Sequence, residues 1–378
     1  MLPYLELAER LASRGHRVSY VSTARNLARL PPLRRHGAAG GDHGGGAVDL
    51  VPLKLPRVDG LPEGAESTND VPGDKLEPLW KAFDTLAAPL ADYLAAACAA
   101  GGNSKPDWVL TDTFHHWAPL IAGEHGVPSA MLLPTAAMIA SLAGAGRDHA
   151  ELVAASVFEH PRSRATDGDT ALRVARECAA WELDAFSLAA ALIGKPLVPL
   201  GLLPPSPDGG RAAAAAHGDD DDAVRWLDLQ PPKSVVYVAL GSEVPLRVEL
   251  VHELALGLEL ARTRFLWALR KPRDVADADV LHGLGRNARF MEGRKVGLMV
   301  ARNEDDGSFD CRGIASAVRG VMVEEGSRKI FVENAKKVQQ IVADKELQER
   351  YVDEFVQRLR SYMSGYGKPS GANDPTTS

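Results

Sequence analysis

The chain has 378 residues, a formal net charge of −7, and 45% hydrophobic against 25% charged residues. This length suffices for more than one domain with a buried core. The acidic balance gives no basic surface, so nucleic acid is not expected as a partner. No apolar run reaches the roughly 20 residues that span a bilayer. Cys98, Cys178 and Cys311 are too few and too widely spaced for a disulfide framework or a zinc site, which favours a reducing, cytoplasmic compartment.

The first 23 residues predict a helix followed by a strand. Apolar residues recur at helical spacing between Leu2 and Ala12, with Glu6 and Glu9 on the opposite face. The β-branched run Val18–Thr23 predicts a strand. A helix that leads into such a strand is typical of the second half of a β-α-β unit. The two glutamates also argue against a secretory signal peptide.

Strand and helix patterns keep alternating up to about residue 200. The segments "DWVLTD" (Asp107–Asp112) and "PSAMLLP" (Pro128–Pro134) predict buried parallel strands, and "HHWAPLIAGEHG" between them predicts a helix. The glycine-rich stretch 34–49 lacks G-x-G-x-x-G and precedes a strand, so it is no dinucleotide fingerprint. The pattern indicates a doubly wound α/β domain.

A composition break at Leu202–Trp226, rich in Pro, Gly, Ala and Asp, predicts an exposed linker. Beyond it, Ser234–Leu240 and Arg264–Arg270 predict strands, and Arg247–Ala261 predicts a helix. The predicted organisation is a first domain over 1–200, a linker over 201–232, a partial second domain over 233–344, a final helix over 345–363 and a disordered tail over 364–378.

The residues at and just after the end of the strand predicted over 107–112 could carry chemistry. Asp112 ends that strand, and ligands of open α/β sheets bind at the carboxyl ends of strands. Asp112 with His115 or His116 could form a general-base pair. The alternative interpretation is that Asp112 caps the following helix and that the two histidines pack beside Trp117.

Gly241 and Ser242 end the first strand of the second predicted domain. Backbone N–H groups and a hydroxyl at a helix start can bind phosphate, although a simple N-cap would use the same residues. The chain has no G-x-S-x-G elbow, no G-x-x-x-x-G-K-[ST] loop and no H-E-x-x-H helix.

The segment "VRWLDLQPPKSVVYVALGSEVPL" (Val224–Leu246), followed by "FLWALRKP", resembles the plant UDP-sugar-dependent glycosyltransferases of small molecules. "LPYLELAERLASRGHRVSYVST", "LPEGAESTNDVP", "DTFHHW" and "GKPLVPLGLLPP" narrow the resemblance to the branch-forming, rhamnosyltransferase-like subgroup. The resemblance implies a GT-B fold, in which two Rossmann-like domains with parallel sheets face each other and the final helix crosses back onto the first domain.

The resemblance also implies an activity and roles for residues. A sugar would pass from a UDP-sugar to a small flavonoid or terpenoid glycoside with inversion, and the protein would act as a monomer without a metal or another cofactor. Asp112 matches the aspartate that orients the catalytic histidine, Gly241 and Ser242 match the donor-phosphate site, and His115, His116 and Trp117 would line the acceptor pocket.

Two parts of the family pattern are missing from this sequence. The family's first strand and catalytic histidine would lie immediately before Met1. The signature box W-x-P-Q…H-x-G-W-N-S…D-Q, which binds the nucleotide, has no counterpart, because the last tryptophan is Trp267 and the last histidine is His282. The expectation is a catalytically impaired glycosyltransferase. The alternatives are a non-catalytic protein that binds a small glycoside and a remnant without function.

Overall fold

The structure is a computed structural model. The described residues are 1–34, 46–71, 75–112, 115–133, 172–175, 197–201, 203, 220–239, 248–268, 291–293, 295–303 and 308–365. The predicted disordered tail lies outside them except for its first two residues, which belong to the last helix.

The described residues alternate between helices and strands, as the sequence predicts. The helices are α1 (Leu2–Ala12), α2 (Ala24–Ala28), α3 (Leu76–Asp84), α4 (Ala87–Ala100), α5 (Ala118–Glu124), α6 (Asp220–Asp228), α7 (Val248–Leu260), α8 (Cys311–Met322), α9 (Glu325–Ala343) and α10 (Lys345–Gly365). The strands are β1 (Val18–Thr23), β2 (Val48–Leu53), β3 (Val109–Thr111), β4 (Ser129–Leu133), β5 (Leu172–Ala175), β6 (Leu197–Pro199), β7 (Val235–Val238) and β8 (Arg264–Trp267).

All strand pairs are parallel, which confirms the α/β prediction. One sheet contains β1 and β2, a second has the order β3-β4-β5-β6, and a third contains β7 and β8. Within the described ranges no strand joins the first two sheets.

The connection from α1 to β1 follows local chemistry, but the polar face of α1 does not lie in solvent. Gly15 adopts φ +86°, a conformation that glycine reaches without strain, and this lets the chain turn into β1. Glu6 and Glu9 are buried and form ion pairs with Arg34, whose backbone N–H also donates to Glu9 at 2.9 Å. The charged face of α1 is therefore an internal contact with the segment that follows α2.

The main hydrophobic core joins the first and last helices of the chain to the second sheet. Its buried members are Leu7, Leu11, Ala130, Leu132, Val198, Leu200, Leu203, Val352, Phe355, Val356 and Leu359. Arg14 extends this junction with ion pairs to Glu349 at 2.7 Å and Asp353 at 2.6 Å. The final helix α10 therefore packs on α1 and the second sheet, which belong to the segment predicted as the first domain.

The second half is built around β7, β8 and the packing of α7 against α8. Gly257 of α7 faces Ile314 so closely that an added Cβ would lie 2.6 Å from the Ile314 Cβ, so glycine permits the close approach of the two helices. Asp310 caps α8 by accepting a hydrogen bond from the Gly313 N–H at 2.7 Å. Part of the predicted linker is helical, because α6 occupies Asp220–Asp228.

Candidate active site at the carboxyl end of β3

Asp112 lies at the carboxyl end of the second sheet. It follows β3 directly, and β3 runs parallel to β4 with Thr111 opposite Met131. Thr111 is buried, whereas the Asp112 side chain is 28% exposed. The carboxylate therefore stands at the edge where α/β sheets bind ligands.

His115 is the contact of Asp112 that gives the site its chemistry. The His115 Nδ1 lies 2.5 Å from the Asp112 Oδ1, and the His115 backbone N–H donates to the same oxygen at 3.2 Å. Because a carboxylate only accepts hydrogen bonds, Nδ1 carries the proton and Nε2 is left as the acceptor of the neutral ring. Of the two histidines that the sequence offers as partners of Asp112, His115 is the one that pairs with it.

The alternative interpretation is right about the packing and wrong about the cap. Helix α5 begins at Ala118 with Trp117 as its N-cap and has no side-chain cap. The N–H that Asp112 accepts belongs to His115, in the turn before the helix. His115 does pack beside Trp117, since their rings meet edge to face with centroids 5.3 Å apart.

The proton affinity of His115 reflects opposing effects. Burial lowers its pKa, while the charge of Asp112, the hydrogen bond to Asp112 and the more distant charge of Asp84 raise it. The net result is a pKa above the ordinary histidine value. The pair therefore stabilises a proton on His115 once that proton has arrived.

Aromatic rings surround the pair. Phe83 lies 6.2 Å from the His115 ring between centroids, and Trp80 meets Phe83 edge to face at 5.7 Å. Both belong to α3, where their i, i+3 spacing places them on one face. They were not predicted from the sequence, although the spacing of two large aromatic residues in "LEPLWKAFD" was the available signal.

Tyr20 of β1 links the first sheet to this site. Its hydroxyl donates to the Met1 carbonyl at 3.0 Å. Burial, followed by the charge of Asp112, raises the pKa of Tyr20 to about 12, so the phenol stays neutral. The start of α1 and the carboxylate of Asp112 therefore lie in the same neighbourhood.

Of the remaining predicted residues, two lie within the described ranges and two lie outside them. His116 and Trp117 follow His115 in chain order and are partly buried. Gly241 and Ser242 lie outside the described residues. Within the described ranges, no group of three His, Cys, Asp or Glu side chains is placed to hold a metal ion, and no helix combines the length and apolarity needed to cross a membrane.

The arrangement of parallel strands and helices is the GT-B fold of the plant glycosyltransferases. Arabidopsis thaliana UGT89C1 complexed with UDP-L-rhamnose matches with a TM-score of 0.72 at 21% identity, over 95% of this chain and 96% of that one. Os79 from O. sativa in complex with UDP matches with a TM-score of 0.64 at 17% identity, over 97% and 98%. At these identities the likeness establishes the fold alone.

Sequence relatives establish the family. UDP-glycosyltransferases 91C1 and 91B1 of Arabidopsis thaliana are 30% and 31% identical, over 96% and 97% of this chain and 94% and 96% of their own lengths. Soyasaponin III rhamnosyltransferase of Glycine max is 28% identical over 95% of this chain and 93% of its own length. No model of a protein family matches the chain. The chain belongs to the plant UDP-glycosyltransferase family, which confirms the resemblance.

The alignment with 91C1 extends over 459 residues, whereas this chain has 378, so at least 81 aligned positions lie opposite gaps in this chain. No tryptophan follows Trp267 in the sequence.

Proposed function

We propose that this chain is a UDP-glycosyltransferase with a retained acceptor side and an impaired donor side. The acceptor side is the domain over 1–200, and the donor side is the partial domain over 233–344. The Asp112–His115 pair, set among aromatic rings at the carboxyl end of β3, carries the proposal. A paired histidine and carboxylate bind and polarise a hydroxyl group, and aromatic faces bind a flat or apolar ligand.

The ligand of this site is a small plant glycoside with a flavonoid or terpenoid core. Two comparisons support this class. One relative is a soyasaponin rhamnosyltransferase, and the structural neighbour UGT89C1 is also known complexed with quercetin. The co-substrate in the family is a UDP-sugar, as in the UDP-L-rhamnose complex of that neighbour.

Donor binding is impaired because the chain lacks the side chains that the family box contributes. The gaps opposite 91C1 support an internal loss of this segment. For comparison, removing a positioned general base from an enzyme costs about 10²–10⁴ in rate. Without the box, neither the uracil ring nor the diphosphate has its usual partners, so transfer falls much further.

Calorimetry with UDP and UDP-glucose tests the donor side, with 91C1 as the positive control. We expect saturable heat from 91C1 and none from this chain. A micromolar dissociation constant for this chain would contradict the proposal and would assign the donor site to residues such as Gly241 and Ser242.

A non-catalytic protein that binds a small glycoside is the second candidate, and the same Asp112–His115 site favours it. Thermal melting with quercetin glycosides and saponins separates the possibilities. A glycoside-dependent rise in the melting temperature supports a binding site, whereas aggregation without a cooperative transition indicates a remnant. We also propose that the protein is a monomer in the cytoplasm. The free thiols of Cys98 and Cys311 support a reducing compartment.

A further inference from the structure

His115 has one ring nitrogen engaged and one available. Nδ1 faces the Asp112 carboxylate at 2.5 Å. Among the described residues none forms a hydrogen bond with Nε2, and the side chain is 29% exposed. A ligand can therefore reach the basic nitrogen of a ring whose tautomer is already fixed by its neighbour.

We propose that His115 is the proton acceptor for the hydroxyl of a bound phenol, with Asp112 as the residue that positions and charges it. This inference rests on the proposed acceptor side. The ligand O–H bond breaks and an N–H bond forms at Nε2, while the electron pair stays on the ligand oxygen. The products are a phenolate and an imidazolium beside Asp112, so the step needs no further reactant.

The surroundings favour this step over a purely structural role. The ring is held edge to face by Trp117 and flanked by Phe83, which limits its rotation. The titratable groups that act on it are Asp112 of the β3 edge and Asp84 at the end of α3, and both carboxylates stabilise the imidazolium. Tyr20, on which the charge of Asp112 also acts, stays neutral and adds no competing charge.

The proposal also explains the position of the aromatic rings. A phenol places its ring and its acidic O–H at opposite ends of a short ligand. Here the basic nitrogen and the rings of Phe83 and Trp117 belong to one cluster. This combination matches an aromatic hydroxyl compound better than an aliphatic alcohol, because aromatic pairs add stacking energy and the phenol gives up its proton more readily.

Absorbance of 4-nitrophenol tests the proposal, because the phenolate and the phenol absorb at different wavelengths. At a pH at which the His115 ring is neutral before the phenol is added, we expect binding to raise the phenolate-to-phenol ratio about tenfold, equivalent to a one-unit shift in the pKa of the phenol. His115→Gln should abolish the increase, and Asp112→Asn should weaken it. His125→Gln, at the far end of α5, is the matched control and should keep the full increase.

The outcomes separate the two proposals. Binding without a change in ionisation overturns the role of His115 and leaves the acceptor site in place. An increase that persists in His115→Gln assigns the proton to another group and also overturns the inference. If the wild-type protein does not bind 4-nitrophenol, the retained acceptor side fails and the inference fails with it.

A titration of the His115 ring by NMR covers the case in which His115→Gln does not fold. In the wild-type protein, addition of 4-nitrophenol should move the His115 ring signals toward the imidazolium position. In Asp112→Asn the same addition should move them less. Unchanged ring signals at saturating phenol contradict the proposal.

Discussion

The two halves of the molecule differ in how well their apolar side chains are covered. In the first half, α1, the second sheet and α10 share a continuous core in which Phe355 and Leu200 are fully buried. In the second half, many large hydrophobic side chains are exposed among the described residues. They are Val224, Trp226, Leu227, Leu229, Tyr237, Val248, Leu256, Leu260, Met291, Leu298, Val323 and Ile330.

Sheet size accounts for part of this difference. Among the described residues, the second sheet has four parallel strands, whereas β7 and β8 form a sheet of two. A pair of strands is marginal without further strands or a packed helix. The second half is also where the family's nucleotide-binding box has no counterpart in the sequence. We infer that the first half carries most of the stability of this chain.

The largest expected effect comes from removing the buried contact between the last helix and the first half of the chain. Phe355 is fully buried among residues of α1 and the second sheet. Phe355→Ala removes these contacts and leaves a cavity, so we expect a loss of about 3–5 kcal/mol in unfolding free energy. Urea denaturation followed by circular dichroism measures it. Met363→Ala, on the same helix but 39% exposed, should change little, and an equal loss in both variants would contradict the assigned core.

A second substitution asks whether the two halves unfold separately. Leu258 of α7 is 1% exposed, and Leu258→Ala should cost about 2–5 kcal/mol locally. Hydrogen exchange should then speed up in α7 and α8, while α1 and β4 keep their protection. The neighbouring Leu256, which is 48% exposed, provides the control. Faster exchange throughout the chain would show that the halves unfold as one unit.

Asp70 offers a smaller, pH-dependent effect within the first half. It accepts hydrogen bonds from Arg29, from the Ser67 hydroxyl at 3.0 Å and from the Glu66 N–H at 3.1 Å. Burial raises the pKa of Asp70, but these hydrogen bonds and the charge of Arg29 outweigh it and lower the pKa to about 2.

We therefore expect Asp70→Asn to cost roughly 1.5–3 kcal/mol at neutral pH. Because the folded-state pKa is depressed, this contribution is present above the ordinary aspartate pKa and is lost as pH falls from about 4 toward 2. Unfolding free energies compared at several pH values measure the difference. Asp59→Asn, an exposed residue of the same segment, should show neither the cost nor the pH dependence.

The smallest expected effect concerns the ion pairs between α1 and α10. Arg14 contacts Glu349 and Asp353, both partly exposed. Arg14→Gln should cost about 0.2–1 kcal/mol, less at high salt because screening weakens exposed pairs. Arg17→Gln is the control, since Arg17 is 64% exposed and 3.7 Å from Asp49. A salt-independent loss would assign the effect of Arg14 to packing.

Much of the fold could be predicted because the signals are local. The run Val18–Thr23 was predicted with the bounds that β1 has, and the final helix was placed from 345, where α10 begins. Helices α8 and α9 were not predicted, since no motif was recognised in 311–343. At the site, Asp112 and His115 were predicted as candidates, whereas Phe83 and Tyr20 come from distant segments and no local pattern joins them to Asp112.

The sequence by itself determined the alternation of strands and helices, the family and the lack of a nucleotide-binding box, because periodicity and motifs are properties of neighbouring residues. Only the tertiary structure decided which partner each polar group takes. Glu6 and Glu9 have the pattern of a solvent-facing helix surface, yet Arg34 covers them. Asp112 could have capped a helix, yet its carboxylate holds His115. Arg34 lies 25 residues from Glu9, and the His115 ring beside Asp112 packs against Phe83 of α3, so both choices depend on packing that forms only with the whole domain.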